Sequence, residues 1–383
     1  MEKLQLIATT VFGVESVVAR ELKWLGYDDQ FVENGRVTFS GDLEAIAQTN
    51  MWLRSAERVL LKMGEFRATT FEELFEGTKA LEWEKWLPID ANFPVEGKSV
   101  SSTLFSVPDC QAIVKKAIVE RLKTKYKCNW FSETGNRYKI EVSILKDMVT
   151  LTIDTSGAGL HKRGYRTLVG VAPIKETMAS AILNISRWKG DRALIDPFCG
   201  TGTFPIEAAM IALNMAPGLN REFDAEKWCN IPKSIWDRER EFSRNVIKND
   251  AEIRISGSDI DDKVMSLARY HAKRAGVLDK IHLQRLPMKD ISSRYKYGFI
   301  VCNPPYGERI GEQREIGKLY KEMGNTFRKF DTWSYYIISS MLDFEKSFGR
   351  KADKKRKLYN GRLQCNLYQY FGEKPPKKIE ERY

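Results

Sequence analysis

The sequence predicts an α/β protein with a mostly parallel, doubly wound sheet in its carboxyl-terminal part and a smaller α/β region before it. Two observations support this fold class. From about residue 175 onward, short apolar strands alternate with segments of helical periodicity, a pattern typical of parallel sheets. The first 60 residues follow a β-α-β-β-α order, which is typical of a split β-α-β sandwich.

The length and composition are those of a soluble globular protein. The 383 residues are 43% hydrophobic and 30% charged, so we expect two or three domains. No apolar run approaches the roughly eighteen residues that cross a bilayer. The amino-terminal stretch MEKLQLIATTVFGVE carries Glu2 and Glu15 and lacks the long apolar core of a signal peptide. We therefore expect a cytoplasmic protein with no membrane partner.

The 6 cysteines and 3 histidines form no ligand pattern. The cysteines include no C-x-x-C pair, and isolated histidines cannot supply a ligand cluster. We therefore expect neither a disulfide framework nor a metal site. The net charge of +11 instead indicates a polyanionic partner, and nucleic acid is the most abundant candidate.

The first region, assigned to residues 1–60, begins with the strand KLQLIATT and the helix GVESVVARELKWLG. A hairpin follows in QFVENGRVTFS, where Asn34 and Gly35 occupy a turn that needs positive φ. The helix DLEAIAQTNMWL completes the region.

A second α/β region, residues 61–155, contains a long helix from about Pro108 to Lys127 and the paired strands of YKIEVSILKDMVTLTID. Between residues 115 and 127 the helix has one acid, Glu120, and a set of basic residues: Lys115, Lys116, Arg121, Lys123, Lys125 and Lys127. Two interpretations are open: a solvated helix face, or a surface that follows the phosphates of a nucleic acid.

A basic linker, residues 156–174, precedes the third region at 175–383. The sequence around it, TSGAGLHKRGYRTLVGVAPIKE, is rich in glycine and cations and has no periodicity. Beyond it, helices alternate with the strands ALIDP, IRISGSDI, IHLQR, YGFIVCN and WSYYIIS. An inserted stretch runs to about Asn249 between the first two strands, and a basic run, RKADKKRK, lies near the carboxyl terminus.

Ligands of open parallel sheets bind at the carboxyl ends of the strands, so the residues that end each strand are the candidate site. The first strand ends in DPFCGTGTF, where Gly200 and Gly202 allow a sharp turn and the close approach of a ligand. The G-x-G spacing lacks the third glycine of a dinucleotide fingerprint. A simple strand-to-helix turn is the alternative interpretation.

Acidic residues follow the next two strands. SGSDID ends the second strand with Asp259 and Asp261, and either carboxylate could accept hydrogen bonds from the hydroxyls of a ribose. LPMKDI follows the third strand, and its Asp290 could accept a hydrogen bond from a purine amine. Each aspartate alone could equally be a helix cap or a solvated loop residue. Their occurrence at successive strand ends favours a ligand site.

The fourth strand ends in VCNPPYG, in which Asn303, Pro304, Pro305 and Tyr306 follow a short apolar run. Proline has no N–H, so this turn presents carbonyl oxygens beside the Asn303 amide oxygen. Such a rim can accept both hydrogens of an NH₂ group while Tyr306 stacks on the ring that carries it. A strand that is merely terminated by prolines is the alternative.

DPFCGTG followed downstream by NPPYG resembles the S-adenosylmethionine-dependent amino-methyltransferases, which have a Rossmann-like class I methyltransferase sheet. GLHKRGYR and APIKETMASAIL are similar to the THUMP-domain-containing RNA guanine-N2 methyltransferases of the RlmL type, which modify 23S ribosomal RNA. The resemblance covers essentially the whole chain. It implies a ferredoxin-like start and a THUMP RNA-binding domain before the methyltransferase domain. We expect this chain to lack the second methyltransferase domain that some relatives carry.

The resemblance implies S-adenosyl-L-methionine as the cofactor and gives roles to particular residues. It assigns the cofactor to Glu176, Thr177, Asp196, Phe198, Gly200, Thr201, Gly202, Asp259, Ile260, Asp290 and Asn303. Glu176 and Thr177 would close the methionine end, Asp259 would take the ribose, and Asp290 the adenine amine. Asp261 remains an alternative to Asp259. The catalytic residues that hold the target base would be Asn303, Pro304 and Tyr306.

The expected partner is RNA, without a metal ion. The resemblance and the positive charge assign RNA contacts to Lys115, Lys116, Lys123, Lys162, Arg163 and Arg166. A solvated basic linker is the alternative for the last three. The target base must leave its stack to reach the pocket, and Phe204 and Tyr165 are further candidate stacking partners.

Methyl transfer to a guanine N2 of 23S rRNA is the expected activity, and alternatives remain. N-P-P-Y motifs also serve adenine N6, cytosine N4 and protein glutamine amides, although the net charge of +11 disfavours a protein substrate. The RNA could also be tRNA. A non-catalytic RNA-binding assembly factor is disfavoured by the intact Asp196, Gly200, Gly202 and Asn303. A thiouridine synthase is disfavoured because the S-G-G-x-D-S phosphate loop is absent.

Overall fold

The computed structural model describes residues 3–168, 174–306, 313–361 and 363–376. Residues 169–173 of the predicted linker, Gly307 of the VCNPPYG motif and the basic tail from residue 377 lie outside this description. The chain forms two compact units. The amino-terminal unit comprises Met1–Thr10, Val18–Leu160 and Arg221–Ser243, and the carboxyl-terminal unit comprises Val11–Val17, His161–Asn220 and Arg244–Tyr383.

The amino-terminal unit is built on one sheet. Its strands are β1 (Leu4–Thr9), β2 (Gln30–Glu33), β3 (Arg36–Gly41), β4 (Arg58–Arg67), β5 (Val95–Val100), β6 (Ile140–Leu145) and β7 (Met148–Asp154). The helices that accompany them are α1 (Glu15–Trp24), α2 (Leu43–Trp52), α3 (Phe71–Lys79) and α4 (Val107–Tyr126). Within the described residues the strand order is β2-β3-β1-β4-β7-β6-β5. Because β4 pairs with both β1 and β7, a single sheet joins the two predicted α/β regions.

Local signals in the sequence account for the ends of these elements. Gly35 takes a φ of +77° in the β2–β3 hairpin, as the Asn34-Gly35 turn predicts. Asp42 caps α2 by accepting a hydrogen bond from the Ala45 amide at 3.0 Å. The long basic helix is α4, with Pro108 in its first turn, and it ends where Lys127 enters the left-handed region with a φ of 52°.

The carboxyl-terminal unit contains the predicted parallel sheet. Its strands are β8 (Leu194–Asp196), β9 (Ile255–Asp259), β10 (Ile281–Arg285), β11 (Phe299–Cys302), β12 (Ser334–Ser339), β13 (Lys354–Asn360) and β14 (Leu363–Tyr370). The helices from this point of the chain are α5 (Glu176–Ser186), α6 (Thr203–Ala212), α7 (Lys233–Asn245), α8 (Asp262–Arg274), α9 (Gln313–Phe327) and α10 (Phe344–Phe348). In the described part of the chain the strand order is β10-β9-β8-β11-β12-β14-β13.

Neighbouring strands from β10 to β12 pair in parallel, and β14 pairs antiparallel with both β12 and β13. The predicted fold class, a mostly parallel, doubly wound sheet after a smaller α/β region, is confirmed. No helix in the described ranges is both long enough and apolar enough to span a bilayer.

One segment departs from the predicted domain organisation. The sequence predicts the inserted stretch before Asn249 as part of the region 175–383, but Arg221–Ser243 belongs to the amino-terminal unit. The Trp228 ring stacks on Tyr138 with centroids 4.7 Å apart, and its indole N–H donates to the Arg137 carbonyl at 2.9 Å. Arg221 donates to the carbonyls of Ser156, Ala158 and Gly159. Aromatic burial and carbonyl capping thus hold the segment on residues far away in sequence.

Candidate active site

A cavity of about 690 Å³ lies at the carboxyl ends of the parallel strands, a volume typical of small-molecule sites. It brings together residues at the carboxyl ends of four strands: Asp196 and Asp259 are the last residues of β8 and β9, Pro287 follows β10, and Asn303 follows β11. The predicted cofactor residues that line it are Asp196, Phe198, Gly200, Thr201, Asp259, Ile260 and Asn303. The strand-end reasoning therefore located the cavity.

The turn between β8 and α6 forms one wall without side-chain bulk. Gly200 has a φ of +51°, and a Cβ added there would meet nothing within 4 Å. Gly202 has a φ of +88° and forms the N-cap of α6 without itself lining the cavity. Only glycine adopts such angles at little cost, so the backbone can approach a ligand closely. Thr201 lies between them, and its hydroxyl oxygen is buried without a hydrogen-bond partner in the described structure.

Asp259 and Asp261, which the sequence left as alternatives, have different environments. Both carboxylate oxygens of Asp259 accept backbone amide hydrogens, from Gly200 and from Asp261, each at 3.1 Å. Asp259 lines the cavity, whereas Asp261 is the N-cap of α8 and accepts from the Lys263 amide at 2.8 Å. The geometry therefore separates a cavity-facing carboxylate from a helix cap.

Asp196 is 1% exposed and accepts the Phe198 amide hydrogen at 3.1 Å. Burial raises the pKa of this carboxyl well above its usual range, and the neighbouring Asp259 charge raises it further. A cationic ligand in the cavity would offset this penalty, because an opposite charge favours the ionised carboxylate.

The GLHKRGYR segment is packed into the carboxyl-terminal unit. Arg163 is 3% exposed and its guanidinium lies 3.5 Å from the Glu207 carboxylate of α6. Tyr165, also 3% exposed, donates its hydroxyl hydrogen to the same carboxylate at 3.0 Å, and the Ser180 hydroxyl donates at 2.5 Å. The predicted phosphate contact of Arg163 and the predicted stacking role of Tyr165 are wrong, because both side chains are buried around a buried acid.

Arg166 also forms an ion pair and a hydrogen bond within the carboxyl-terminal unit, nearer the cavity. Its guanidinium pairs with the Glu176 carboxylate at 3.1 Å and donates to the Thr203 hydroxyl. Its side chain is only 17% exposed, so the predicted phosphate contact is not supported. Lys162, by contrast, is exposed.

Glu176 and Thr177 begin α5 and are 3% and 1% exposed, but neither lines the cavity. Burial raises the pKa of the Glu176 carboxyl. While Oε1 of Glu176 pairs with Arg166, Oε2 is buried without a hydrogen-bond partner among the described residues.

Asp290 does not occupy the predicted position. It is exposed at the end of a short 3₁₀ turn, Met288–Asp290, and the residues of this stretch that line the cavity are Pro287, Met288 and Lys289. The turn is held by the Asp290 amide donating to the Pro287 carbonyl at 3.0 Å. It brings Pro287, Met288 and Lys289 to the cavity and leaves the acid at the surface.

Several cavity residues carry no signal in the sequence. Leu319 and Glu322 come from α9, and Val264 and Leu267 come from α8. Helical periodicity shows that such residues share a face, but it does not show which face meets a ligand. Phe204, a predicted stacking partner, does line the cavity.

The turn after β11 places Asn303 and Pro305 at the cavity, while Pro304 and Tyr306 are not among its lining residues. The Tyr306 hydroxyl donates to Oδ1 of Asn303, and the Cys365 thiol of β14 contacts the same hydroxyl. Tyr320 of α9 donates to the Pro305 carbonyl at 2.9 Å. Because the Tyr306 hydroxyl is turned onto Asn303 and its side chain does not line the cavity, the stacking of Tyr306 on a target base stays a prediction.

The three lysines of α4 that were predicted to contact RNA differ in whether their ammonium group is paired with a carboxylate. The Lys115 ammonium pairs with Glu133 at 2.7 Å and lies 3.4 Å from the centroid of the Phe93 ring, and burial lowers its pKa. Lys123 pairs with Glu120 at 2.9 Å. Lys116 is exposed and makes no ion pair with another described residue. The positive surface of α4 is therefore smaller than the sequence count suggests.

The cavity fits S-adenosylmethionine by its donor and acceptor groups. Asp259 offers carboxylate oxygens suited to ribose hydroxyls, Asp196 offers a carboxylate suited to a cation, and the Thr201 hydroxyl has no other partner among the described residues. Ile260 and Met288 add apolar surface. No group of three or more His, Cys, Asp or Glu side chains in the described ranges is arranged to hold a metal ion.

Three family models match the chain. Residues 5–60 match the RlmL ferredoxin-like domain, residues 68–154 match the THUMP domain, and residues 163–369 match the RMKL-like methyltransferase domain. Among curated relatives, the YpsC protein of Bacillus subtilis, a candidate RNA methyltransferase by its name, is 49% identical over 99% of this chain and 98% of its own. The ribosomal RNA large subunit methyltransferase K/L of Psychromonas ingrahamii is 34% identical over 96% of this chain, which spans 50% of that relative.

Solved structures agree with this assignment. A structure from Listeria monocytogenes, titled as a predicted N6-adenine-specific DNA methylase, has a TM-score of 0.93 and 52% identity, and the match covers 97% of each chain. SMU.472, titled as a candidate methyltransferase complexed with S-adenosylhomocysteine, has a TM-score of 0.93 and 46% identity over 98% of this chain and 100% of its own. S-adenosyl-L-methionine is therefore the cofactor, as the sequence predicted. The chain belongs to the RMKL-like methyltransferases that carry an RlmL ferredoxin-like domain and a THUMP domain.

Proposed function

We propose that this protein transfers a methyl group to the exocyclic N2 of a guanine in 23S rRNA. One observation carries the proposal: Asn303 and Pro305, from a turn rich in acceptors, face the same cavity as Asp196 and Asp259. An amine held by that turn would stand next to the cofactor. The cofactor, when bound, supplies an electrophilic methyl group on a sulfonium.

The residues of the turn would hold and orient the amine. Guanine N2 is a poor nucleophile because its lone pair is delocalised into the ring. Hydrogen bonds from the amine to Asn303 Oδ1 and to the Pro304 carbonyl would favour a pyramidal nitrogen and fix the line of attack. Neither acceptor requires a metal ion.

The role we propose for Tyr306 acts through the Asn303 amide. An amide oxygen has two lone pairs, so a hydrogen bond from the Tyr306 hydroxyl leaves one lone pair of Asn303 Oδ1 for the amine. Tyr306 would therefore be a positioning residue that fixes the Asn303 amide. Tyr320 would support the same turn through its bond to the Pro305 carbonyl.

The cofactor contacts we propose follow the cavity walls. Asp259 and Ile260 would hold the ribose and adenine of the cofactor. The rest of the cofactor would be held by Asp196, Phe198, Gly200 and Thr201. Glu176 and Thr177 would close the methionine end from α5. We also propose the boundaries 1–60 for the ferredoxin-like domain, 61–155 for the THUMP domain, 156–174 for the linker and 175–383 for the methyltransferase domain. Within the last range, Arg221–Ser243 belongs to the amino-terminal unit.

RNA is the proposed substrate for three reasons. The net charge is +11, the chain contains a THUMP domain, and the curated relatives are named as RNA methyltransferases. The choice of guanine N2 rests on the likeness to the K/L enzymes. The name of the Listeria structure favours adenine N6 as a second candidate.

The test is a map of modified nucleosides in rRNA and tRNA from a strain that lacks the gene. We expect one N2-methylguanosine in 23S rRNA to disappear and to return on complementation with the wild type but not with Asn303→Ala. Loss of an N6-methyladenosine, or loss confined to tRNA, would replace this proposal by that alternative. An unchanged map would contradict methylation of these RNAs.

A further inference from the structure

The basic run RKADKKRK has no part in the cofactor site. Residues Lys354–Lys357 lie in β13, which forms the edge of the sheet in the carboxyl-terminal unit. Alternate residues of a strand share a face, so Lys355, Lys357 and Tyr359 point to one side of β13. Tyr368, the partner of Lys355 in β14, packs its ring 4.4 Å from Phe344 of α10 and so marks that side.

The β13–β14 hairpin extends past the strand ends that form the cavity. Ser339, the last residue of β12, pairs with Asn366, which pairs in turn with Lys357. Leu358, Tyr359 and Asn360 therefore stand beyond the last residue of β12. Because β13 is antiparallel to β14 and β14 to β12, the end of the ladder at the Asn360–Leu363 pair lies toward the edge that carries Asn303.

The hairpin also lies beside the turn that holds Asn303. The strand register aligns Cys302 with Ile337, Ile337 with Tyr368 and Tyr368 with Lys355. Continuing that register past β11 puts Lys357 level with Pro304. Three strand spacings of about 4.8 Å separate them, or about 14 Å. Cys365 of β14 touches the Tyr306 hydroxyl.

The side chains at this end of the hairpin are of the kind that binds a single nucleic acid strand. Lys357 is exposed, and its ammonium lies 5.4 Å from the centroid of the Tyr359 ring. Phe12, which belongs to the same unit and is 46% exposed, meets Tyr359 edge-on at 6.1 Å. Lys355 is instead paired with Glu345 at 2.7 Å, and Arg356 donates to the Gly13 carbonyl at 3.1 Å.

We propose that this hairpin binds the RNA strand on one side of the target nucleotide, with Lys357 on a phosphate and Tyr359 against a neighbouring base. The inference rests on the proposed function, since it takes RNA as the substrate. Aromatic faces beside a cation bind single strands with little sequence preference. Lys357 has no carboxylate partner among the described residues, so its charge is available to a polyanion.

The test compares Lys357→Glu and Tyr359→Ala with Lys329→Glu as the matched control. Lys329 is exposed and precedes β12, at the opposite edge of the sheet from Asn303. The probe is 23S rRNA transcribed in vitro from the gene of the same organism. The measurements are kcat and KM for methyl transfer to this RNA, the salt dependence of RNA binding, and calorimetric affinity for S-adenosylhomocysteine.

We expect Lys357→Glu and Tyr359→Ala to raise the KM for RNA by about 5- to 10-fold, with kcat within about 2-fold of wild type. The salt slope of Lys357→Glu should fall by about 0.7 or more, since one phosphate contact is lost. Lys329→Glu should match wild type, and all variants should keep their S-adenosylhomocysteine affinity.

Equal KM values and slopes in all three variants, with an active wild type, would overturn the inference and leave the proposed function intact. A drop in S-adenosylhomocysteine affinity of Lys357→Glu or Tyr359→Ala would also overturn it, since the hairpin would then support the cofactor. A wild type that neither binds nor methylates the RNA would remove the proposed function and the inference together.

Discussion

The Arg163 guanidinium and the Glu207 carboxylate form an ion pair at 3.5 Å in which the side chains are 1% and 0% exposed. Glu207 also accepts hydrogen bonds from Tyr165 and Ser180. The pair joins the segment before α5 to α6, the helix that begins at the Gly202 turn of the cavity. A motif that resembled an RNA-binding linker is therefore part of the interior of the carboxyl-terminal unit.

Arg163→Ala should lower the free energy of unfolding by about 3–5 kcal/mol, because it leaves the Glu207 carboxylate buried without its cation. Urea denaturation followed by tryptophan fluorescence measures this. The exposed neighbour gives the control, since Lys162→Ala should change stability by less than about 0.5 kcal/mol. The double variant Arg163→Met with Glu207→Gln should recover most of the loss. Unchanged stability of Arg163→Ala together with weaker RNA binding would restore the phosphate role.

Asp259→Ala should weaken S-adenosylhomocysteine binding by about 10- to 100-fold, because charge-assisted hydrogen bonds of this kind contribute about 1.5–3 kcal/mol. Asp261→Ala is the matched variant two residues away. It removes the N-cap of α8, so it should cost about 1 kcal/mol of stability and leave the affinity within about 2-fold. Calorimetry and thermal denaturation measure the two effects. If Asp261→Ala weakened S-adenosylhomocysteine binding more than Asp259→Ala, the ribose contact would be assigned to Asp261.

Tyr306→Phe keeps the aromatic ring and removes the hydroxyl that holds Asn303. If the hydroxyl positions the amide, kcat should fall about 10-fold, by analogy with the loss of one hydrogen bond of about 1.4 kcal/mol. Affinity for S-adenosylhomocysteine should be unchanged. Tyr295→Phe, an exposed tyrosine before β11, controls for loss of a hydroxyl elsewhere. Wild-type activity of Tyr306→Phe, with a large loss in Tyr306→Ala, would favour stacking.

Asp196→Asn should stabilise the free protein at neutral pH while weakening cofactor binding. Burial raises the folded-state pKa of Asp196 above its unfolded value. The stability that this group contributes is therefore fully present below the ordinary aspartate pKa and is lost as the pH rises through the folded pKa. Asparagine does not ionise, so the variant does not lose stability at this position as the pH rises. The Tm of Asp196→Asn should equal that of the wild type at about pH 4 and exceed it by about 2–4 °C at neutral pH. A Tm difference that does not depend on pH would contradict this account.

Local signals determined much of the fold and part of the site. Strand and helix periodicity, the Asn34-Gly35 turn and Pro108 in the first turn of α4 depend on neighbouring residues, so they could be predicted. The strand-end rule brought Asp196, Gly200 and Asn303 to one cavity. It works because parallel strands all end at the same edge of a sheet.

The tertiary structure decided which of several plausible side chains face the cavity. Asp259 and Asp261 look alike in the sequence, and only the direction of the backbone after β9 separates a cavity residue from a cap. Asp290 lies at the surface because a 3₁₀ turn brings Pro287 and Met288 inward instead.

The sequence by itself determined the alternation of helices with the parallel strands up to β12, the acceptor-rich turn and the excess of positive charge, whereas it showed β13 only as a basic run. The tertiary structure decided which positive charges are already paired with an acid and which are available to bind RNA. Arg163 and Lys115 appear as free cations in the sequence, yet each meets an acid from another part of the chain, Glu207 or Glu133. Periodicity and turn chemistry are local, whereas the partner of a charge is set by which distant segments pack together. Arg221–Ser243 joins the amino-terminal unit for the same reason, since its partners Tyr138 and Ser156 are remote in sequence.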